Sequence, residues 1–247
     1  MDKSLLAQWR EDEKAFFEGW DFSYIKDRFK EDDPPWDYRM LAKEMVRKAS
    51  YVLDVDTGGG EVFSSFAPFP PETYAVEGYR PNFGVAQKRL CPLGVKVVES
   101  DSSRLPFSDD SFDLILNRHG GLNVGETYRV LKKEGRFISQ QVGGDNWDDL
   151  VAAFDRKDRW PENVLPIVRK KMEAVGFTIE MAKEWRGKVT FKDVGSIVYL
   201  LKATPWAVDG FSVDTYLNYL ERLQSIIEKK GRLEFNRSLF LVQAKKL

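Results

Sequence analysis

The chain has 247 residues, and its 38 basic and 39 acidic side chains leave a net charge of -1. This balance provides no general attraction for nucleic acids or anionic membranes. The single cysteine, Cys91, excludes an internal disulfide and a zinc site built from several cysteines, and it fits a reducing cytoplasm. The N-terminal residues are too charged for a signal peptide, and the most apolar stretch, residues 194–208, is interrupted by Lys202 and Pro205. We therefore expect a soluble, cytoplasmic protein that does not cross a membrane.

Residues 1–50 are polar and follow a helical pattern that is interrupted at residues 32–35. A helix predicted over residues 38–49 carries its apolar side chains on one face. We predict that residues 1–50 form an N-terminal helical cap. Two interpretations of the cap stay open, a lid over a ligand with Trp36 and Tyr38 as candidate lid residues, or helices that only pack against the core.

The pattern of residues 51–63 is typical of the first half of a nucleotide-binding βαβ unit, with a buried strand, a glycine turn and the start of a helix. Gly58 and Gly60 let the backbone approach a ligand closely, because glycine has no Cβ. A dinucleotide fingerprint needs a third glycine where this chain has Phe63, so a pyrophosphate site is disfavoured. Asp54, just before the turn, suits a positively charged ligand better.

A second strand is predicted over residues 73–76, and it ends in Glu77 and Gly78. Glu77 follows Asp54 by 23 positions, close to the spacing of about 20 residues between a glycine loop and a ribose-binding acid. A carboxylate at the end of a strand can accept hydrogen bonds from both ribose hydroxyls. The alternative is an ordinary solvated acid at a strand end.

A third strand is predicted over residues 95–99 and a fourth over residues 112–116. Asn117, Arg118 and His119 leave the end of the fourth strand, where ligands bind in open parallel sheets. His119 is the only histidine of the chain, and a neutral imidazole there could remove a proton from an attacking oxygen or nitrogen. A structural histidine with satisfied hydrogen bonds is the alternative.

The rest of the chain continues the alternation of helices and strands. Two apolar segments are predicted to form helices of an insert before the last strand. The predicted helices cover residues 123–133, 162–175, 192–202 and 213–229, and the predicted strands cover residues 137–142, 177–180 and 233–245.

Four segments resemble the motifs of the class I S-adenosylmethionine-dependent methyltransferases, in the order of that family. Residues 54–60 resemble motif I, acid-x-Gly-x-Gly-x-Gly, except that Asp56 stands where the first glycine usually does, and Glu77 follows at the family's spacing. Residues 101–113 resemble the pattern D-x-x-x-L-P-F-x-D-x-x-F-D. Residues 126–135 resemble E-x-x-R-V-L-K-P-G-G, with Lys133 and Glu134 in place of the proline and the first glycine. The resemblance covers residues 51–143.

The resemblance implies an α/β fold, with a seven-stranded, mostly parallel sheet, helices on both faces and an antiparallel last strand. It implies a methyltransferase domain over residues 51–247 with a helical insert at about 185–231, and S-adenosyl-L-methionine as the cofactor. Asp101 would face the adenine amino group. The expected catalytic residue is His119, and the expected cofactor-binding residues are Asp54, Asp56, Gly58, Gly60, Glu77, Gly78, Asp101, Ser102, Asn117 and Arg118.

The function that these observations favour is methyl transfer to an oxygen or nitrogen of a small molecule, without a metal. Three alternatives remain. Residues 201–206 are similar to a segment of bacterial ribosomal RNA guanine-N1 methyltransferases, although the four-cysteine zinc module of those enzymes has no counterpart here. A cofactor-binding protein without transferase activity would carry the same motifs. A nicotinamide dehydrogenase shares the fold class, but Phe63 and residues 101–113 argue against it.

Overall fold

The computed structural model describes residues 3–18, 20–157 and 160–247. These residues form two compact units, each assembled from three separate segments of the chain. Unit 1 comprises Met1–Pro34, Gly144–Pro161 and Arg186–Ser238, and unit 2 comprises Pro35–Gly143, Glu162–Trp185 and Leu239–Leu247. The division of the sequence at residues 50 and 51, with an insert at about 185–231, stays a prediction.

Eight strands form one mixed sheet in the order β1-β7-β8-β6-β5-β2-β3-β4. The strands are β1 (Phe29–Glu31), β2 (Tyr51–Val55), β3 (Glu72–Glu77), β4 (Lys96–Glu99), β5 (Phe112–Arg118), β6 (Leu131–Val142), β7 (Phe177–Phe191) and β8 (Leu233–Lys246).

Nine α-helices are assigned in the part of the chain that the structure describes. They are α1 (Lys3–Lys14), α2 (Tyr38–Val46), α3 (Glu61–Ser64), α4 (Arg80–Leu90), α5 (Val124–Val130), α6 (Asp148–Ala152), α7 (Leu165–Val175), α8 (Val194–Ala203) and α9 (Leu217–Lys230).

The α/β fold with a mostly parallel sheet is confirmed. Strands β6, β5, β2, β3 and β4 pair in parallel, and β8 pairs antiparallel with β6, as expected for the last strand. The sheet has eight strands instead of the predicted seven. The additional strand, β1, pairs Phe29 with Phe191 at the edge of the sheet. Its three residues are too few to show the two-residue periodicity that identifies a strand.

The two faces of the sheet in unit 2 bury alternate residues of the same strands, as the pleat requires. Val52 and Leu114 pack with residues of α2 and α4. Leu53 and Ile115 belong to a second cluster with residues of α5 and α7. Helices therefore cover both faces, and they leave the strand ends to form the site described below.

Unit 1 has its own core, in which α8 is the central element. Nine of the ten residues of α8 are buried, and they pack with α1, α6 and α9. The carboxylate of Asp12 on α1 is fully buried against Gly195 of α8 and pairs with Arg28 at 3.0 Å. No helix in the described ranges is long and apolar enough to cross a membrane.

Several element boundaries differ from the predicted ones. Helix α5 begins after Asn123, whose side chain accepts a hydrogen bond from the Glu126 N–H at 3.1 Å, but it ends at Val130 instead of residue 133. Leu131 already pairs with Phe112 in the sheet, on the far side of a bulge. Strand β7 continues to residue 191, well beyond the predicted end at residue 180, and α7 starts at residue 165.

Candidate cofactor site

The turn after β2 has the left-handed backbone that a tight glycine turn requires. Gly58 and Gly60 have φ angles of 64° and 77°, and a Cβ on Gly60 would lie 2.8 Å from the Leu90 side chain. Asp56 also has a positive φ, 55°, which aspartate adopts more readily than most residues. Asp56 thus adopts a left-handed conformation at the position where the family motif usually has a glycine, the residue that takes such a conformation most readily.

Glu77 connects the end of β3 to this turn. Its two carboxylate oxygens accept hydrogen bonds from the backbone N–H groups of Gly58 and Tyr79, each at 2.7 Å. The side chain is buried, and burial raises the pKa of Glu77 while the backbone hydrogen bonds oppose this shift. A carboxylate has about four acceptor positions, so each oxygen keeps capacity for a hydroxyl donor.

Gly78 brings the end of β3 close to the loop after β4. A Cβ on Gly78 would lie 3.0 Å from the Cα of Asp101, so the two backbones meet only because residue 78 is a glycine. The Asp101 carboxylate is exposed and accepts hydrogen bonds from the hydroxyl and N–H of Ser103, which hold the pKa of Asp101 below its usual value. The strand end that carries Glu77 and the loop that carries Asp101 are therefore in direct contact.

Asp56 also joins the turn after β2 to the turn after β5. Its Oδ2 accepts a hydrogen bond from the Gly121 N–H at 2.6 Å, and Ser102 donates a second one. A side chain on Gly120 or Gly121 would collide with Asp56 or Ser102. Burial raises the pKa of Asp56, while the two hydrogen bonds oppose the shift. The predicted residues of three separate loops thus meet at one place.

Asp54, near the end of β2, is buried like Glu77. Burial raises its pKa to about 7, the nearby charges of Asp56 and Glu77 add to the shift, and Arg118 opposes it. Tyr38 lies within electrostatic range of both Asp54 and Arg118. Its hydroxyl is buried and has no hydrogen-bond partner, which is costly for a polar group unless a ligand satisfies it.

Tyr38 was predicted only as a candidate lid residue, and its interaction with Asp54 was not predicted. It is the first residue of α2, directly after Asp37, whose side chain caps the helix. The aspartate preceding an apolar helical run marks this helix start in the sequence. Nothing in the sequence shows that the start of the helix lies beside the glycine turn.

Asn117, at the end of β5, uses its side chain within the sheet. Its Nδ2 donates to the Val55 carbonyl at 3.0 Å, and its Oδ1 accepts from Ser139 and Gln141. The side chain is buried. The Asn117 side chain thus fixes the ends of β2, β5 and β6, and its role in cofactor binding stays a prediction.

His119 follows β5 with a φ of 58° and donates its backbone N–H to the Gln140 carbonyl at 2.9 Å. Its Nε2 lies 3.0 Å from Nε2 of Gln140, and Oε1 of Gln140 accepts a hydrogen bond from the Trp36 indole at 2.8 Å. Neither Gln140 nor this pairing of Trp36 was predicted. The side chains of residues 36 and 140 interact across 104 positions of sequence, and no local pattern indicates such a pair.

The chemistry of this group of residues fits S-adenosylmethionine better than a dinucleotide. Asp54, Asp56, Glu77 and Asp101 offer negative charge to a sulfonium, and hydrogen-bond acceptors to an ammonium, ribose hydroxyls and an adenine amino group. The same carboxylates would repel a pyrophosphate. Arg118 and the unpartnered hydroxyl of Tyr38 lie within electrostatic range of Asp54, and both can donate hydrogen bonds to a carboxylate or another polar group. Within the described residues, no cluster of histidine, cysteine or acidic side chains could hold a metal ion.

Comparison with known proteins agrees with this chemistry. A family model described as "Methyltransferase domain" matches residues 53–139. The uncharacterized methyltransferase YcgJ of Bacillus subtilis is 30% identical over 55% of this chain and 51% of its own length. The ubiquinone/menaquinone biosynthesis C-methyltransferase UbiE of Pseudoalteromonas translucida is 30% identical over 55% of this chain and 58% of its own length. The chain thus spans little more than half the length of these relatives.

Solved structures show the same fold at lower sequence identity. The crystal structure of YcgJ superimposes with a TM-score of 0.61 and 19% identity, covering 84% of this chain and 97% of YcgJ. The [4+2]-cyclase SpnF superimposes with a TM-score of 0.50 and 15% identity, covering 98% of this chain and 93% of SpnF. The matched domain, the motifs and the arrangement of acids at the strand ends together support a class I S-adenosylmethionine-dependent methyltransferase.

Proposed function

We propose that this protein binds S-adenosyl-L-methionine at the site around Glu77 and transfers its methyl group to a small molecule. The observation that carries the proposal is the position of Glu77, whose carboxylate joins the ends of two neighbouring strands at the edge where ligands bind in such sheets. The net charge of -1 favours a small molecule over RNA, because phosphate binding requires a basic surface.

The cofactor would supply both the electrophilic methyl group and its leaving group. In our proposal the side chains of this protein bind the cofactor and orient it. Glu77 accepts hydrogen bonds from the ribose and Asp101 from the adenine amino group, while Asp54 and Asp56 balance positive charge and Arg118 holds the carboxylate. Ser102, Asn117 and the glycines keep the loops in place. Correct orientation of the two reactants can contribute about 7–11 kcal/mol to catalysis.

The acceptor atom is the open part of the proposal. The sequence favoured oxygen or nitrogen, with His119 as a base that removes the acceptor's proton. The relatives called UbiE are named as C-methyltransferases, so an activated carbon is a third candidate. Replacing His119 with alanine tests its assignment as the base, which unchanged turnover would remove. Loss of turnover at alkaline pH as well as at neutral pH would indicate that His119 does more than remove a proton.

Calorimetric titration with S-adenosylhomocysteine and, separately, NADH tests cofactor binding. We expect micromolar binding of the thioether alone, weakened at least tenfold by Glu77→Gln, which corresponds to about 1.4 kcal/mol. Glu99→Gln is the matched control, because Glu99 lies opposite Glu77 on the next strand and its carboxylate is exposed. Binding of NADH, or no loss of affinity in Glu77→Gln, would contradict the proposal.

Two rival functions have their own tests. Salt-sensitive binding of ribosomal RNA fragments would favour an RNA-base methyltransferase. Binding of the cofactor without transfer of a labelled methyl group to any oxygen, nitrogen or carbon acceptor in a broad panel would favour a cofactor-binding protein without transferase activity. The fold alone does not decide this point, since the similar structure of SpnF is described as a cyclase.

A further inference from the structure

The side chains of Trp36, Gln140 and His119 form a chain of hydrogen bonds inside unit 2. The Trp36 indole nitrogen lies 2.8 Å from Oε1 of Gln140, and Nε2 of Gln140 lies 3.0 Å from Nε2 of His119. Trp36 and Gln140 are both buried. The backbones of His119 and Gln140 are also joined, by a hydrogen bond of 2.9 Å. The histidine and the glutamine are therefore fixed to each other at two points.

Trp36 determines the direction in which these hydrogen bonds are donated. An indole N–H can only donate a hydrogen bond, so the atom of Gln140 that faces Trp36 must be the amide oxygen. The amide NH₂ of Gln140 then faces His119. Because NH₂ is a donor without acceptor capacity, the ring nitrogen that it faces must accept, and a ring nitrogen accepts only when it carries no proton.

We infer that Trp36 and Gln140 are positioning residues that hold His119 as a neutral imidazole with its proton on Nδ1. The Nε2 lone pair of His119 is used by Gln140. Removal of a proton from an acceptor by Nε2 would first require that the Gln140 amide move away. This consequence for catalysis rests on the function proposed above, whereas the protonation state of the ring does not, so each can fail without the other.

The single histidine makes a direct measurement possible. In protein labelled with ¹⁵N-histidine, only His119 contributes ring signals, and a nitrogen without a proton resonates far downfield of a protonated one. At neutral pH we expect the Nε2 signal of the wild type at the unprotonated position. A protonated Nε2 in the wild type overturns the inference without any variant.

Two substitutions test the roles of the partners. In Gln140→Glu, the carboxylate still accepts from Trp36 but can no longer donate to His119, so the Nε2 of His119 should become protonated. In Trp36→Phe, the Gln140 amide is released at its oxygen and can rotate, so the Nε2 signal should shift toward the protonated position. A signal that stays in place in either variant also overturns the inference.

Matched controls separate these effects from general perturbation. Gln87→Glu and Trp160→Phe make the same chemical changes at exposed positions, and both should leave the His119 signals where they are. Titration with S-adenosylhomocysteine then shows whether each variant keeps its cofactor site. Intact binding together with an altered protonation state identifies a positioning role. A wild-type protein that shows the expected ring signals but does not bind S-adenosylhomocysteine would count against the proposed function and leave the inference standing.

Discussion

The carboxylate of Asp56 accepts a hydrogen bond from the backbone N–H of Gly121 at 2.6 Å, and this bond ties the turn after β2 to the turn after β5. Asp56 makes this bond from a left-handed backbone conformation, with a φ of 55°. A glycine, the usual residue at this position in the family, could adopt the conformation but could not make the bond. The departure from the family motif therefore adds a contact between two loops of the site.

Substitution of Asp56 tests the left-handed backbone. We expect Asp56→Ala to be less stable than Asp56→Gly by about 1 kcal/mol, because both variants lose the hydrogen bond but only alanine is strained at a positive φ. Urea unfolding at pH 7 measures the difference. The exposed Asp27, where φ is not positive, provides the control. There, Asp27→Ala should be at least as stable as Asp27→Gly. Equal stability of the two Asp56 variants would show that the turn relaxes.

Asp54 should make the free energy of unfolding depend on pH. Its pKa is raised by burial from 3.8 to about 7 in the folded protein, so the folded state keeps a proton that the unfolded state releases. Stability is therefore lost as pH rises from about 4 to about 7. Asp54→Asn removes this loss. The free energy of unfolding of the variant and of the wild type is measured at a series of pH values. The variant's excess should grow from about pH 4 to about pH 7, reach the order of a few kcal/mol, and level off above pH 7.

The same acid should make cofactor affinity depend on pH. An ionised Asp54 attracts the positive charges of S-adenosylmethionine, and a protonated one does not. We expect affinity to increase as pH rises through about 7, and to lose this dependence in Asp54→Asn. Calorimetry between pH 6 and pH 8 measures the effect. An equal pH dependence in the wild type and the variant would assign it to another group.

Gly195 in unit 1 should not tolerate a side chain. A Cβ there would lie 2.0 Å from Oδ2 of Asp12, a fully buried carboxylate that Arg28 and Tyr24 hold in place at 3.0 Å each. We expect Gly195→Ala to lower stability by about 1–3 kcal/mol, as overpacking typically does. Gly84→Ala should instead raise stability, because the space around helical Gly84 is open and alanine favours a helix. Thermal unfolding of both variants measures the two effects. A Gly195→Ala protein as stable as the wild type would show that Asp12 can move.

The order of strands, turns and helices over residues 51–142 was predictable because the signals are local. Buried parallel strands such as β2 are mostly apolar runs, and glycine and proline mark the turns between them. The spacing from the glycine turn to Glu77 follows from the length of one βα unit. The sequence therefore predicted which residues of the site stand at the ends of strands.

Other features depend on contacts that the local sequence does not encode. Strand β7 is longer than predicted. Residues 181–191 include half-buried and exposed positions and form no apolar run, so the sequence did not mark them as part of the strand. The early end of α5 at Val130 reflects the pairing of Leu131 with Phe112 in the sheet. The partners of His119 and the place of Tyr38 beside Asp54 are set by tertiary packing alone, so they became visible only in the structure.

Strand β8 contributes Leu233 through Ser238 to unit 1 and Leu239 onward to unit 2. During synthesis the ribosome releases residues in sequence order, so neither unit has all its strands until β8 emerges. Partly made chains would expose the strand β6, which pairs with β8 in the finished protein, as an open edge prone to association. Folding of both units is therefore expected to be completed only after β8 has left the ribosome.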